Sequence, residues 1–200
     1  LVNPQRLISE AAFAVNHISP QMLVDAPTID EIIPKFMEFV KGSCLCSYNA
    51  GFDLAFLNNE LKIAGGAFPA GISIVDILRM AKRLLPGLER YALWFVAQQL
   101  GIKVQQQHRA LSDVELTCSV FNKLKDILKA KEILDFRSFF SLFALNSSVL
   151  EDINNQKIAE IQQAIDLKVK LKIRYLSSTN AEVTEREVIP SQVRQEKGRY

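Results

Sequence analysis

Asp53, His108 and Asp113 have the side-chain types from which a metal-assisted hydrolytic site can be built. Asp53 follows a short apolar run, Ser43 to Tyr48, and the turn-like Asn49-Ala50-Gly51, which puts it at a strand-to-helix junction. His108 ends the polar approach Gln105-Gln106-Gln107-His108-Arg109, and Asp113 stands five positions later, one turn inside the helix that follows. That spacing brings a loop-end imidazole and a first-turn carboxylate to the same end of a sheet. Hydrolysis of a phosphodiester by two metal ions about 4 Å apart needs carboxylates to hold the ions and a base for the attacking water. Magnesium prefers hard carboxylate oxygens, and a histidine with an ordinary pKa near ~6.5 exchanges protons near neutrality. Taken singly, each residue has a plainer reading, because an Asp at a helix start is more often a cap and a lone His before a helix is more often a surface group.

The elements that must position these groups alternate between helix and strand. Thr28 and Glu31 form a capping box, after which Ile29, Ile32, Ile33, Phe36, Phe39 and Val40 fall at helical spacing until Gly42. Pro34 removes one backbone hydrogen bond there and is expected to bend the helix. Ser43–Tyr48 reads as a buried strand in a sheet covered on both faces, and apolar residues from Phe52 to Leu61 as the next helix. Ile72–Val75 reads as a further strand, Asp76–Leu85 as a helix stopped by Pro86-Gly87, and another helix ends at Gly101. Ala110 to about Leu128 is a long amphipathic helix carrying Asp113. The whole is an α/β pattern.

Beyond Glu132 the chain is apolar and helix-compatible, with a break at Asn146-Ser147-Ser148 and a helix over Ile153–Asp166 with Ile158, Ile161 and Ile165 on one side. Leu167, Val169, Leu171 and Ile173 then alternate with Lys168, Lys170, Lys172 and Arg174, the pattern of a strand with one buried and one wet face. Ser177–Asn180 is a turn before a second alternating segment, Ala181–Ile189. The basic face could touch nucleic acid, although a solvated strand face is the simpler reading.

Composition narrows the class. The chain has 200 residues, 48% hydrophobic and 23% charged, which is enough for a buried core and part of a second unit. No apolar run approaches the roughly 20 residues that span a bilayer, and a cytoplasmic setting without membrane contact is expected. Net charge is +2, so bulk charge identifies no partner, although an enzyme gripping only a strand end needs little basic surface. Cys44, Cys46 and Cys118 lack the paired spacing of a structural zinc site and are expected to be buried reduced thiols. The chain opens without methionine at Leu1 and closes at Tyr200 inside an alternating segment, which reads as an internal fragment.

Tyr48-Asn49-Ala50-Gly51-Phe52-Asp53-Leu54-Ala55-Phe56-Leu57 resembles the second exonuclease motif of the DnaQ-like superfamily, and His108-Arg109-Ala110-Leu111-Ser112-Asp113 resembles the third. Their order, with Leu84-Leu85-Pro86-Gly87 and Leu100-Gly101-Ile102 between them, looks like the DEDDh branch, which includes proofreading epsilon-type subunits. Leu1-Val2-Asn3-Pro4, Ile18-Ser19 and Asp25-Ala26-Pro27-Thr28 are similar to segments that usually precede the second motif. The resemblance covers about residues 1–128. It implies a ribonuclease H-like fold and 3′-5′ hydrolysis at nucleic-acid 3′ ends. Asp53 and Asp113 would hold Mg²⁺ or Mn²⁺ in a two-metal site, and His108 would act as general base. Single-stranded 3′ ends would be the substrate, DNA favoured over RNA, with a polymerase as a candidate partner.

The family's first motif, an Asp-x-Glu pair, should lie upstream of Leu1, so the chain as it stands is expected to be N-terminally truncated and inactive. Tyr48 stands where histidine is common and could alter substrate contacts. Asn16-His17 stands where His-Gly is frequent, and His17 is most simply an exposed loop residue. Phe52 is either core packing, the preferred reading, or a base contact, and Asn49 either fixes the turn or approaches substrate.

At the other end, Ile165-Asp166, Val169–Tyr175, Arg186-Glu187-Val188-Ile189-Pro190 and Gly198-Arg199-Tyr200 look like the beginning of a WYL domain, a small β-rich module. The expected division is an exonuclease domain over 1–130, a helical linker over 131–160 and the start of the WYL domain over 161–200. The competing expectation is a nucleic-acid-binding or regulatory protein whose chemistry has lapsed and which works through that module.

Overall fold

The computed structural model describes residues 1–69, 72–104, 110–133, 135–145 and 148–194. The polar approach that contains His108 lies outside them.

The first segment carries a short helix, α1 (Glu10–Asn16), capped by the Ser9 hydroxyl and closed by exposed His17 in the left-handed region. Asn3 ties this segment down: its amide donates to the Pro27 carbonyl at 2.8 Å and its side chain to the Leu23 carbonyl at 3.0 Å. Helix α2 (Ile29–Phe39) starts at the expected capping box, in which the Thr28 amide donates to Glu31 Oε2 at 2.8 Å, and keeps Pro34 inside it. Gly42, at φ +70, turns the chain after it.

Strand β1 (Cys44–Ser47) pairs in parallel with β2 (Ser73–Asp76), matching Cys44 with Ser73 and Ser47 with Asp76. Between them runs α3 (Ala50–Ile63), which begins at Ala50, so the expected Ala50-Gly51 turn is already helix. A third strand, β3 (Ala144–Leu145), adds antiparallel to β2. Nothing in its two residues announces a strand, because its pairing depends on a neighbour about 70 positions away.

Helices α4 (Ile77–Leu84), α5 (Leu93–Gln99) and α6 (Ala110–Ala130) form the body of the core. Helix α4 buries Ile77, Met80, Ala81 and Leu84, and α6 buries Leu116, Val120, Leu124 and Leu128, one stripe each at helical spacing. These stripes close on Val75, Val96 and Phe143, all fully buried. At roughly 1.5–3 kcal/mol per large apolar side chain taken out of water, this cluster is the main source of stability. Phe143 belongs to α7 (Phe136–Phe143), so part of the segment expected as a linker packs within the core. Helix α8 (Ser148–Asp166) leans on α7 through Arg137–Glu160 at 3.0 Å and a hydrogen bond from Lys157 Nζ to Ser141 Oγ at 2.5 Å.

The last elements form an antiparallel hairpin, β4 (Leu171–Leu176) and β5 (Val183–Val188), turning at 178–180. Alternation alone predicts that the apolar row faces the core. Instead Ile173 and Tyr175 are exposed, and Leu167 and Val169 lie before the strand and are exposed too. The other row docks: Leu176 is 3% exposed within the main core, and Arg174 donates to the carbonyls of Lys131 and Glu132 at 2.9 and 3.1 Å. Those carbonyls follow the end of α6, where orphan acceptors and the negative end of the helix dipole favour a guanidinium. Two further basic groups are neutralised across the hairpin, by Lys170–Glu187 at 3.3 Å and Lys172–Glu185 at 2.5 Å. No helix among the described residues is long and apolar enough to cross a membrane.

Candidate active site

The site lies where β1 runs into α3. Asn49 takes up φ 67, ψ 51, a left-handed conformation that asparagine tolerates better than most residues, and this reverses the chain into the helix. Asn49 thus fixes the turn, and its side chain is exposed. Asp53 follows in the first turn of α3, where its carboxylate accepts a hydrogen bond from the Ser47 hydroxyl at the end of β1. Favourable placement of an acid at a helix N-terminus is part of the reason it sits there.

Asp113 occupies the first turn of α6 and lines the same cavity as Asp53, a space of about 670 Å³ whose wall also includes Ser47, Tyr48, Thr117 and Phe121. Two of the three residues singled out from the sequence are therefore brought to one cavity, while His108 lies outside the described residues. Ser47 was not anticipated. Its signal was available in principle, since a hydroxyl at the last position of a strand that ends at a carboxylate-bearing turn has a natural acceptor nearby.

Tyr48 forms a wall of this cavity and is held from behind. Its hydroxyl donates to the Tyr91 carbonyl at 2.7 Å, and the Tyr91 hydroxyl donates to the Leu85 carbonyl at 2.7 Å. Burial, and secondarily the charge of Asp76, keeps the Tyr48 phenol well above its usual pKa, so it remains a neutral donor. Asp76 itself caps α4, accepting from the amides of Leu78 and Arg79 at 2.9 and 3.3 Å.

Two expectations about this region are overturned. Phe52 is not core packing: it is 61% exposed and lies against Phe56 with ring centroids 4.9 Å apart. Ala50, Leu54 and Leu61 take the inward face of α3, and a residue two positions from Ala50 falls on the other side of the helix. The cysteines are not buried either. Cys44, Cys46 and Cys118 are free and exposed, the first two because β1 pairs only with β2 among the described residues and Leu45 takes its inward position. Cys46, at the cavity wall, is pulled down to about 7 by the neighbouring Cys44 thiol, which is itself held up by the same pairing.

Aspartate oxygens on two helix starts, with a hydroxyl beside one of them, form a hard-oxygen donor set suited to a cation such as magnesium, which retains several waters. Among the described residues, no group of three or more His, Cys, Asp or Glu is gathered closely enough to hold a metal ion.

An exonuclease family, RNase T, matches residues 1–121, a span that takes in both acids and the strand between them. The chain belongs to this exonuclease family. Similar proteins include a PolC-type DNA polymerase III from Caldanaerobacter subterraneus subsp. tengcongensis, 31% identical over 176 residues, which are 88% of this chain and 12% of that protein. A PolC-type DNA polymerase III from Staphylococcus aureus is 31% identical over 133 residues, 66% of this chain and 9% of that protein. The chain thus spans a small fraction of the length of these relatives. Among solved structures, exonuclease X in complex with 5′ overhanging duplex DNA aligns with a TM-score of 0.49 and 26% identity over 76% of this chain and 78% of that one. Within the exonuclease span, the first acid comes from the β1–α3 junction and the second from the start of α6, with β2 and α4 packed behind them.

Proposed function

We propose that this chain carries the exonuclease part of a DnaQ-like, DEDDh-type enzyme that hydrolyses phosphodiester bonds at nucleic-acid 3′ ends, DNA in preference to RNA. The observation that supports it is the meeting of Asp53 and Asp113 in one cavity within the span matched by the exonuclease family. Asp53 and Asp113 are the residues that would hold divalent metal, Mg²⁺ or Mn²⁺. When bound, such ions lower the pKa of an attacking water and stabilise charge on the phosphoryl oxygens.

The chain's own groups have separate tasks. The Ser47 hydroxyl orients the Asp53 carboxylate. His108, five residues before Asp113, is the general base that takes the proton from the nucleophilic water. Tyr48, fixed through Tyr91, gives the cavity a neutral wall and a constant shape. Exposed Phe52 and the Asn49 side chain are the candidate substrate contacts, Phe52 by stacking on a terminal base, which is worth about 1–3 kcal/mol where it occurs. Likeness to PolC-type polymerases makes a polymerase a candidate partner. Residues 1–130 form the exonuclease domain, 131–160 a largely helical connection, and 161–200 the start of a WYL domain.

A second reading is a nucleic-acid-binding regulator without catalysis that works through the C-terminal module. One assay separates the two. Full-length protein is incubated with a labelled single-stranded oligonucleotide and Mg²⁺ or Mn²⁺, beside His108→Ala and Asp113→Ala. Release of mononucleotides by the parent, with a loss of at least about 10²-fold in each variant, is expected. Binding without cutting under either metal transfers the assignment to the regulatory reading.

A further inference from the structure

A second cavity, of about 590 Å³, opens beside the candidate active site and is lined by cations. It is bounded by Arg79, Lys82 and Arg83 of α4, with Ser141 of α7, Ser178 of the hairpin turn and the exposed Asn49. The two cavities draw on sequence neighbours at the carboxyl ends of β1 and β2: Tyr48 and Ile77 line one, while Asn49, Asp76 and Leu78 line the other. The one carboxylate in the basic cavity, Asp76, is already engaged in capping α4. Three positive groups therefore face a space with little compensating negative charge.

Three further features point to an anion as the missing partner. Arg83 Nε is buried and has no hydrogen-bond partner among the described residues, although Nη2 of the same guanidinium donates to the Leu176 carbonyl at 2.6 Å. A buried donor left unpaired is costly, more so when charged, and a bound oxyanion would remove that cost. A smaller neighbouring cavity of about 240 Å³ shares Arg83, Ser141 and Leu142 and adds Lys157 and Arg174 against one carboxylate, Asp135. The Lys157 ammonium is held below its usual pKa by burial first and then by the charge of Arg137, against the opposing pull of Asp135 and Glu160. Hydroxyls from Ser141 and Ser178 complement the cations as neutral donors to phosphate oxygens.

We propose that this cleft is a phosphate-binding site that holds the backbone of a nucleic-acid strand beside the candidate active site, and that the hairpin completes it through Ser178. Lys82 and Arg79 supply the exposed charge, and Arg83 supplies the buried donor. The strand as ligand rests on the nuclease reading of the Asp53–Asp113 cavity, whereas the phosphate chemistry rests on the cleft alone. The arrangement also gives the hairpin turn a role, because it forms one wall of the site.

The test is fluorescence anisotropy of the full-length protein with a 5′-labelled single-stranded oligonucleotide in EDTA, where no metal-dependent cutting occurs. Lys82→Glu and Arg79→Glu are expected to weaken binding about tenfold each, and to reduce the log–log salt slope by about 0.7 for each phosphate that is no longer neutralised. Lys123→Glu, an exposed change of the same charge on α6, should stay within about twofold by the same salt-dependent logic. Thermal unfolding of each variant shows whether the fold is kept. A nucleoside monophosphate and inorganic phosphate are titrated in parallel. If Lys82→Glu binds the strand no worse than Lys123→Glu, the proposal is wrong. If only the monophosphate or inorganic phosphate binds, with the same dependence on Lys82, the strand assignment is overturned in favour of a free-phosphate site. Loss of cutting in the activity assay with Lys82-dependent binding intact would remove the nuclease reading and leave this one standing.

Discussion

Strands β1 and β2 are hydrogen-bonded neighbours of equal length, yet they occupy different environments. Ser73, Ile74 and Val75 of β2 are all buried, Val75 completely, because β2 has a strand on each side and α4, α6 and α7 over it. In β1, Cys44 and Cys46 are exposed, and only Leu45 reaches the smaller cluster formed by Val40, Ala50 and Ile74. The packed strand carries stability, and the open one delivers Ser47, Tyr48 and Asp53 to a cavity that a substrate can enter. Groups that must meet a ligand belong where apolar contacts are few, and the cost in local stability is borne by the neighbouring strand and its helices.

Replacing one aromatic on each side should give the largest contrast. Phe143→Ala, behind β2, is expected to lower unfolding free energy by about 3–5 kcal/mol in urea titrations. Phe52→Ala, beside β1, should change it by no more than about 0.5 kcal/mol. Equal effects would mean that the two sides are not energetically distinct. An intermediate effect is expected at the seam. Tyr48→Phe deletes the hydroxyl that donates to the Tyr91 carbonyl and should cost about 0.5–1.5 kcal/mol, measured by thermal unfolding. No loss would show that the cavity wall is held by packing alone.

The smallest energetic effect, and the most local readout, concerns the thiols. Cys46, drawn down to about 7, should be alkylated by iodoacetamide ahead of Cys44, with a rate that rises as pH increases through about 7 because only the thiolate reacts. Mass spectrometry of the labelled peptides reads the order. Preferential labelling of Cys44 would reverse the order assigned to the two thiols and remove this distinction within β1.

Legibility in the sequence follows the range of the interaction. The capping box of α2, the stripes of α4 and α6 and the Asp76 to Leu85 helix depend on neighbours three or four residues away, and each appears close to where periodicity places it. Strand β3 and the docking of α7 depend on partners far along the chain, and no local pattern marks them. The hairpin is legible as two alternating strands with a turn, but hydropathy alone assigns its buried row. A single guanidinium reaching the end of α6 and a leucine entering the core reverse that assignment.

For the candidate site, residue type and position leave the plainer capping reading open, and it is the resemblance of the surrounding segments to exonuclease motifs that singles out Asp53 and Asp113. Their convergence on one cavity, the Ser47 hydroxyl beside Asp53 and the Tyr48–Tyr91 brace require the packed chain. By itself, the sequence determined the helices whose apolar stripes repeat along the chain and the two junctions that bear acids. Only the tertiary structure decided which faces are wet, which strand lies at the rim, and that three α4 cations share a cleft with the hairpin turn. Burial and electrostatic environment are set by all the neighbours a residue acquires on folding, and most of those neighbours are distant in sequence.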